Sequence, residues 1–331
     1  MRLLVLGGTV NLSRAVAAEG VRRGHEVTCA ARGTSGAVPE GAELIEVDRT
    51  RPLPDLGRYD AVVDVARQPS WVRSAVAAYP DSHWVFVSTV NVYADDATPH
   101  GTPATLPLVE AIEEDVDLAE RPEAYGPMKV ACERIVLDGA TSAMVIRPGL
   151  IVGPGDPTGR FSYWPRRLAA GGEVLAPGDP GDLMQVADVR DLAAWAVTAS
   201  EQRTIGVYDG VGEPLPMADL LTQCADGVAA ECSFTWVDQA FLQEQQVEPW
   251  MGPDAIPLWL PRPEYDGLPA HDVRPSLDAG LTIRPLADTT ADTLAWLEAT
   301  PDAPVSGISL DRERELLAAW QIGRASCRER V

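Results

Sequence analysis

A tyrosine and a lysine spaced four positions apart are the residues of this chain whose types best suit chemistry. The segment Glu123–Glu133 has the pattern of a helix, and residues four apart share a helix face, so Tyr125 and Lys129 are predicted to point into one site. Lys129 is the only lysine among 27 lysine and arginine residues, which suggests a position where arginine's broad fork cannot replace a compact ammonium. Such a cation is expected to lower the pKa of Tyr125 from about 10 and let it exchange a proton with a carbonyl or alcohol. The alternative is a chance pairing on a solvated helix face.

The elements around this pair alternate between strands and helices. Apolar runs predict strands at 2–6, 26–30, 43–47, 61–65, 84–88 and 144–146, and helical periodicity predicts helices at 11–23, 68–79 and 188–200. This alternation is typical of an α/β fold with a doubly wound parallel sheet and helices on both faces.

The turn after the first strand is a second candidate site. Gly7-Gly-Thr-Val-Asn-Leu-Ser13 joins the strand to a helix, and a dinucleotide pyrophosphate can bind the free N–H groups and the dipole of such a helix N-terminus. A plain tight turn is the alternative.

Arg32 follows the second strand directly. In a dinucleotide fold, an acidic residue at this position would bind the ribose diol, whereas an arginine suits a 2′-phosphate. The sequence therefore favours NADP, with NAD still possible, unless Arg32 is an ordinary surface residue at a strand end.

Hydroxyl groups follow the fifth strand, in Ser88-Thr-Val-Asn-Val-Tyr93. In open parallel sheets, ligands lie at the carboxyl ends of the strands. A hydroxyl here is expected to bond a substrate oxygen and to meet Tyr125 across the cleft.

Taken together, these segments resemble the short-chain dehydrogenase/reductase superfamily. The resemblance is to its extended, epimerase/dehydratase-like branch, and within that to an atypical subgroup with a GGxxxxG-type fingerprint. It covers about residues 1–210. The matching motifs are Tyr125-Gly-Pro-Met-Lys129, Val87-Ser-Thr-Val-Asn-Val-Tyr93, Ile146-Arg-Pro-Gly-Leu-Ile-Val-Gly-Pro154, Gln185-Val-Ala-Asp-Val-Arg-Asp-Leu-Ala193 and Asp48 after the third strand.

The resemblance implies a Rossmann fold with a smaller C-terminal substrate lobe, and NAD(P)-dependent enzymatic activity. It implies that Tyr125 is the general acid/base, that Thr89 orients the substrate oxygen, and that Lys129 holds the nicotinamide ribose. It also implies that Asp48 caps the adenine. The cofactor-binding residues predicted from motif and resemblance are Gly7, Gly8, Thr9, Asn11, Leu12, Arg32, Asp48, Arg49, Val65, Ala66, Lys129 and Pro148.

The chain departs from the family pattern at several positions. Val10 and Ser13 replace the middle and third glycines of the extended-family loop GxxGxxG. Nucleotide-sugar epimerases usually carry an Asn after the sixth strand and an Arg before the Asp188 motif, and this chain has neither. We therefore predict an oxidoreductase that exchanges hydride with a small carbonyl or alcohol. The alternatives are a nucleotide-sugar epimerase/dehydratase and a non-catalytic NAD(P)-binding regulator or chaperone.

Composition excludes several classes of partner. The net charge is −22, which would repel a nucleic acid backbone. No apolar run approaches the length of a membrane span, and the histidines lack metal-binding spacing, so neither a membrane nor a metal is expected. An odd set of five cysteines without a CxxC pair fits a reducing cytoplasm. The expected partner is a small-molecule substrate, and a homodimer is left open as a further association.

The predicted domains are a cofactor-binding core at 1–150, to which 188–210 returns, and a substrate-binding lobe at 151–187 and 211–321. The proline-rich stretch 245–287 is predicted to form long ordered loops around a substrate pocket, or a loose surface lobe. The last ten residues, 322–331, resemble a translated sequencing adapter and are expected to take no part in the fold.

Overall fold

The computed structural model describes residues 1–328. The strands are β1 (Arg2–Leu6), β2 (Glu26–Ala31), β3 (Glu43–Glu46), β4 (Ala61–Asp64), β5 (His83–Val87), β6 (Ser142–Pro148), β7 (Ile151–Val152), β8 (Gly172–Pro177), β9 (Leu183–Met184), β10 (Ala187–Asp188), β11 (Gly206–Gly210), β12 (Leu215–Pro216), β13 (Cys232–Val237), β14 (Glu248–Pro249) and β15 (Ala255–Ile256). The α-helices are α1 (Asn11–Arg22), α2 (Pro69–Ala78), α3 (Tyr125–Gly139), α4 (Tyr163–Ala169), α5 (Val189–Gln202), α6 (Met217–Gly227), α7 (Gln239–Glu244), α8 (Arg274–Asp278), α9 (Leu286–Ala299) and α10 (Leu310–Arg328). Short 3₁₀ turns lie at Val90–Val92 and Pro122–Ala124.

The chain divides into two compact units, and the first is built on a seven-stranded sheet. This unit contains residues 1–151, 185–213 and 270–283. Its strand order is β11-β6-β5-β4-β1-β2-β3, and every pair is parallel. The central strands β4 and β5 are buried along their whole length, which requires nearly continuous apolar sequence, whereas the edge strand β3 has no buried residue. The predicted doubly wound Rossmann fold is therefore confirmed.

Helices cover both faces of this sheet. On one face, Leu4, Val62 and Phe86 pack in a core with α2 and α3. On the other, Gly20 of α1 lies against Leu3 and Val27 so closely that a Cβ there would be 2.9 Å from a Val27 methyl. The alternation of side chains along each strand sends neighbouring residues to opposite faces. Because the helices cover the two faces, the loops at the carboxyl ends of the strands are the part of the unit that carries the candidate site.

A late segment, residues 270–283, belongs to this first unit. The Ser276 hydroxyl donates to the carbonyl of Asp209 at 2.7 Å, and Trp195 Nε1 donates to the carbonyl of Ala279 at 2.9 Å. This differs from the predicted assignment of all of 211–321 to the lobe. The contacts of residues 270–283 with the first unit include these side-chain hydrogen bonds. Such bonds leave no periodic apolar pattern in the sequence, so the sequence did not indicate them.

The second unit contains residues 152–184, 214–269 and the described chain from 284 onwards. Its parallel pair β8–β13 is in the register Val174↔Phe234. In the proline-rich stretch, Leu258 and Trp259 are buried and Trp164 Nε1 donates to the Pro257 carbonyl at 3.1 Å. These residues thus form part of a packed core.

Helix α10 includes residues 322–328 of the segment predicted to be an adapter, and 329–331 lie outside the described residues. Among residues 1–328, no helix is both long and apolar enough to cross a membrane.

Candidate functional site

Two neighbouring cavities open at the carboxyl ends of the sheet strands in the first unit. The Tyr125 cavity, about 230 Å³, is lined by the start of α1, the end of β5, Tyr125, Lys129 and Pro148. The Arg32 cavity, about 270 Å³, is lined by Gly7, Thr9, Arg32 and the ends of β2 and β4. Val65 lines both.

Most of the predicted site residues lie in one of these cavities. The Tyr125 cavity contains Asn11, Leu12, Val65, Thr89, Tyr125, Lys129 and Pro148. The Arg32 cavity contains Gly7, Thr9, Arg32, Arg49, Val65 and Ala66. Gly8 and Asp48 are not in the lining of either.

Gly126 allows Tyr125 to approach Thr89. It begins the first turn of α3, and a Cβ on Gly126 would lie 2.0 Å from the carbonyl oxygen of Asn91. Only glycine permits the helix to come this near the 90–92 turn. The Thr89 hydroxyl donates to Asn91 Oδ1 at 2.8 Å and accepts from the Asn91 N–H at 3.2 Å. Its second lone pair is therefore the part able to meet Tyr125 or a substrate hydroxyl.

The prediction that Lys129 lowers the pKa of Tyr125 is wrong for the protein without ligand. Burial raises the pKa of Tyr125, and interaction with the Thr89 hydroxyl and the charge of Arg67 offset this only in part. Lys129 points elsewhere, to backbone oxygens. Tyr125 therefore holds its proton at neutral pH, as a proton donor must.

Lys129 is 2% exposed and is held by three backbone carbonyl groups, two in the loop that follows β4 and one at the end of β5. Its Nζ donates to Val87 at 2.6 Å, to Ala66 at 2.7 Å and, more weakly, to Val65 at 3.4 Å. Burial lowers the pKa of Lys129 to about 8. An ammonium has three donors, so the long contact leaves one of them weakly engaged.

The glycine-rich turn is closed by a serine at the position where the extended family has its third glycine. Gly7 and Gly8 have positive φ angles of 132° and 94°. The Gly8 N–H donates to Ser13 Oγ at 3.1 Å, and that hydroxyl donates to the Val10 carbonyl at 2.9 Å. Val10 is extended, with φ −139°, so this position does not require glycine. Asn11, Leu12 and Ser13 of the first turn of α1 line the Tyr125 cavity, and the N–H groups of a first turn have no partner within the helix.

Arg32 and Arg49 differ in what holds them. Arg49 donates to both carboxylate oxygens of buried Asp64, at 2.7 and 2.8 Å, and to the Trp71 carbonyl at 3.0 Å. Its guanidinium is therefore held by the protein, although Arg49 also lines the Arg32 cavity, and its role as a cofactor ligand stays a prediction. Arg32 is exposed and forms no hydrogen bond or salt bridge with residues 1–328.

Asp48 is exposed, and its carboxylate accepts from the Thr50 N–H at 3.0 Å and from Thr50 Oγ1 at 2.7 Å. These bonds lower the pKa of Asp48. The Asp48 carboxylate thus stabilises the local turn through Thr50. Its contact with the adenine stays a prediction.

Some residues of the site were not predicted from the sequence. Arg67, Trp71 and Ser35 also line the Arg32 cavity. Arg67 follows β4 by three residues, so the rule that ligands lie at the carboxyl ends of parallel strands could have indicated it. Trp71 lies on α2 and Ser35 in a loop, and no pattern in the sequence places either beside Arg32.

A buried network of charged side chains fixes α3 to the sheet. Arg147 of β6 donates to both carboxylate oxygens of Glu133, at 3.0 and 2.6 Å. It also donates to the Tyr93 hydroxyl at 3.0 Å, which in turn donates to Asp209 at 2.6 Å. His271 contacts the other Asp209 oxygen at 2.9 Å. The network thereby holds the helix that carries Tyr125 and Lys129.

Comparison with known proteins adds family and fold. The sequence model described as the NAD dependent epimerase/dehydratase family matches residues 3–209. No curated protein matches the chain.

Solved structures similar to this chain include the Bordetella bronchiseptica enzyme WbmH in complex with NAD+ (17% identity over 90% of this chain and 99% of that one, TM-score 0.59). Others are UDP-N-acetylglucosamine 4-epimerase from Bacillus cereus (15%, 89% and 98%, 0.62) and UDP-glucose 4-epimerase with UDP-glucose from Thermotoga maritima (16%, 91% and 100%, 0.63). At these identities the likeness is one of fold.

Proposed function

Because the chain belongs to the NAD dependent epimerase/dehydratase family, we propose that it catalyses NAD(P)-dependent hydride exchange with a small carbonyl or alcohol substrate. The observation that carries this proposal is the meeting of Thr89, Tyr125 and Lys129 in one cavity with the N-terminus of a helix.

The two cavities suit a dinucleotide. The first turn of α1 would bind the pyrophosphate, since its N–H groups and the helix dipole favour an anion. Gly36 lies against the glycine-rich turn, where a Cβ would be 2.7 Å from the Thr9 carbonyl oxygen. The Arg32 cavity would hold the adenosine, and Arg32 would pair with a 2′-phosphate. When bound, the nicotinamide supplies or accepts the hydride.

The protein's own residues provide the proton and the orientation. Tyr125 is protonated at neutral pH, as an ordinary tyrosine is, and can donate a proton to a carbonyl oxygen as that oxygen gains charge. Thr89 would orient the reacting oxygen beside it. Lys129 has one weakly engaged N–H that a ribose hydroxyl could take.

A second candidate is a nucleotide-sugar epimerase or dehydratase. The family match and the fold shared with sugar epimerases favour it. The two functions share the hydride step and differ in the net consumption of cofactor. A reductase consumes one reduced cofactor per product, whereas an epimerase or dehydratase returns the hydride to the substrate.

The test is a panel of carbonyl compounds, alcohols and nucleotide sugars, followed by nicotinamide absorbance and by analysis of the products. Tyr125→Phe is expected to lower turnover by about 10²–10⁴-fold while cofactor binding is kept. Tyr208→Phe, whose hydroxyl donates to the Ile205 carbonyl, is the matched control. Turnover of Tyr125→Phe within about threefold of wild type would show that another group moves the proton.

A further inference from the structure

Ser88 lines the Tyr125 cavity, and its buried hydroxyl is unpaired within residues 1–328. It lies at the end of β5, is 3% exposed, and its backbone N–H donates to the Ile146 carbonyl at 2.6 Å. Its Oγ has no hydrogen-bond partner among the described residues. The backbone of Ser88 is thus fixed while its hydroxyl remains unsatisfied.

Other buried serines of the same unit are paired. Ser82 Oγ donates to the Tyr59 carbonyl at 2.8 Å, and Ser276 Oγ donates to the Asp209 carbonyl at 2.7 Å. A buried hydroxyl without a partner is destabilising, and native proteins rarely keep one that nothing satisfies. Since Ser88 lines a cavity, a bound group is the natural partner.

The residues on either side of Ser88 indicate which bound group would pair with its hydroxyl. The carbonyl of Val87, directly before Ser88, accepts from Lys129. Thr89, directly after it, donates to Asn91 and lies beside Tyr125, the pair assigned to the substrate oxygen. Ser88 thus adjoins the residue that anchors Lys129, and Lys129 is the group assigned to the nicotinamide ribose.

We propose that the Ser88 hydroxyl is a further cofactor-binding group, which hydrogen-bonds the nicotinamide riboside half of the dinucleotide. This rests on the proposed function, because it requires the cofactor to occupy the Tyr125 cavity. Binding then satisfies a hydroxyl that is unpaired in the free protein, so Ser88 contributes to affinity without contributing to the stability of the free protein.

The test uses the full chain and measures melting and binding separately. Ser88→Ala is expected to melt at the same temperature as the free wild type or higher, since it removes an unsatisfied group. It is expected to bind the preferred reduced cofactor about three- to tenfold more weakly, as one lost hydrogen bond predicts. ADP and 2′,5′-ADP, which lack the nicotinamide riboside, are expected to bind both proteins equally.

Ser82→Ala is the matched control and is expected to show the reverse: a lower melting temperature and unchanged cofactor affinity, because its hydroxyl bonds the protein. The proposal is overturned if Ser88→Ala binds the cofactor as tightly as wild type, if ADP is weakened equally, or if the free variant melts lower. A wild type that binds neither NADH nor NADPH would instead refute the proposed function itself.

Discussion

Replacing Arg32 by alanine is expected to weaken NADP binding and to leave NAD binding unchanged. Arg32 is exposed at the Arg32 cavity and forms no hydrogen bond or salt bridge with residues 1–328, so its removal breaks nothing in the free protein. A guanidinium paired with a 2′-phosphate contributes roughly 1.5–3 kcal/mol, or about ten- to a hundredfold in affinity. Because the side chain is exposed and salt screens it, we expect the lower end, about tenfold at physiological ionic strength.

Two other arginines make the experiment decisive. Arg51→Ala removes a nearby exposed charge and is expected to affect neither cofactor. Arg49→Ala leaves the Asp64 carboxylate buried without its partner, which costs about 3–5 kcal/mol and should lower stability rather than change selectivity. The assay is titration of each variant with NADPH and NADH by fluorescence, with a melting curve beside it. The reasoning fails if wild type prefers NADH, if Arg32→Ala weakens both cofactors equally, or if Arg51→Ala has the same effect.

Three further predictions concern the residues that support the site. Lys129→Arg is expected to lose turnover and stability, because the buried pocket of three carbonyls fits an ammonium and not a guanidinium; a fully active variant would contradict this. His83 is buried and its folded pKa is about 4 against 6.5, so the unfolded state binds more protons between these values. Stability should therefore fall by about 3 kcal/mol as pH drops from 6.5 to 4, and His83→Asn should lack this component in acid denaturation. Gly8→Ala should destabilise the protein by at least about 2 kcal/mol, since its Cβ would lie 2.3 Å from the Cys29 sulfur at φ +94°. Gly24→Ala, with φ +81° and open space, measures the backbone strain alone, and equal losses in denaturant unfolding would exclude the clash.

The parallel sheet and the helices around it could be predicted from the sequence because the residue pattern of each strand or helix lies within its own short segment. A strand buried on both faces needs a continuous apolar run, and a helix needs a 3.6-residue period, so β1 and α1 were placed within a residue or two. The spacing of Tyr125 and Lys129, and the position of hydroxyls after β5, are local in the same way. The rule for the carboxyl ends of parallel strands then brought them together.

Partners that are distant in sequence were decided only by the tertiary structure. Both Arg32 and Arg49 are predicted from the sequence to bind the cofactor, but only the tertiary structure shows that Arg49 is paired with Asp64 on β4. The spacing of Tyr125 and Lys129 also indicated a lowered tyrosine pKa. The structure reverses the direction of this shift, because burial acts on the Tyr125 hydroxyl while the Lys129 ammonium binds the carbonyls of Ala66, after β4, and Val87, at the end of β5. Hydrogen-bond geometry and burial depend on the whole packed unit, and no local pattern of residue types encodes them.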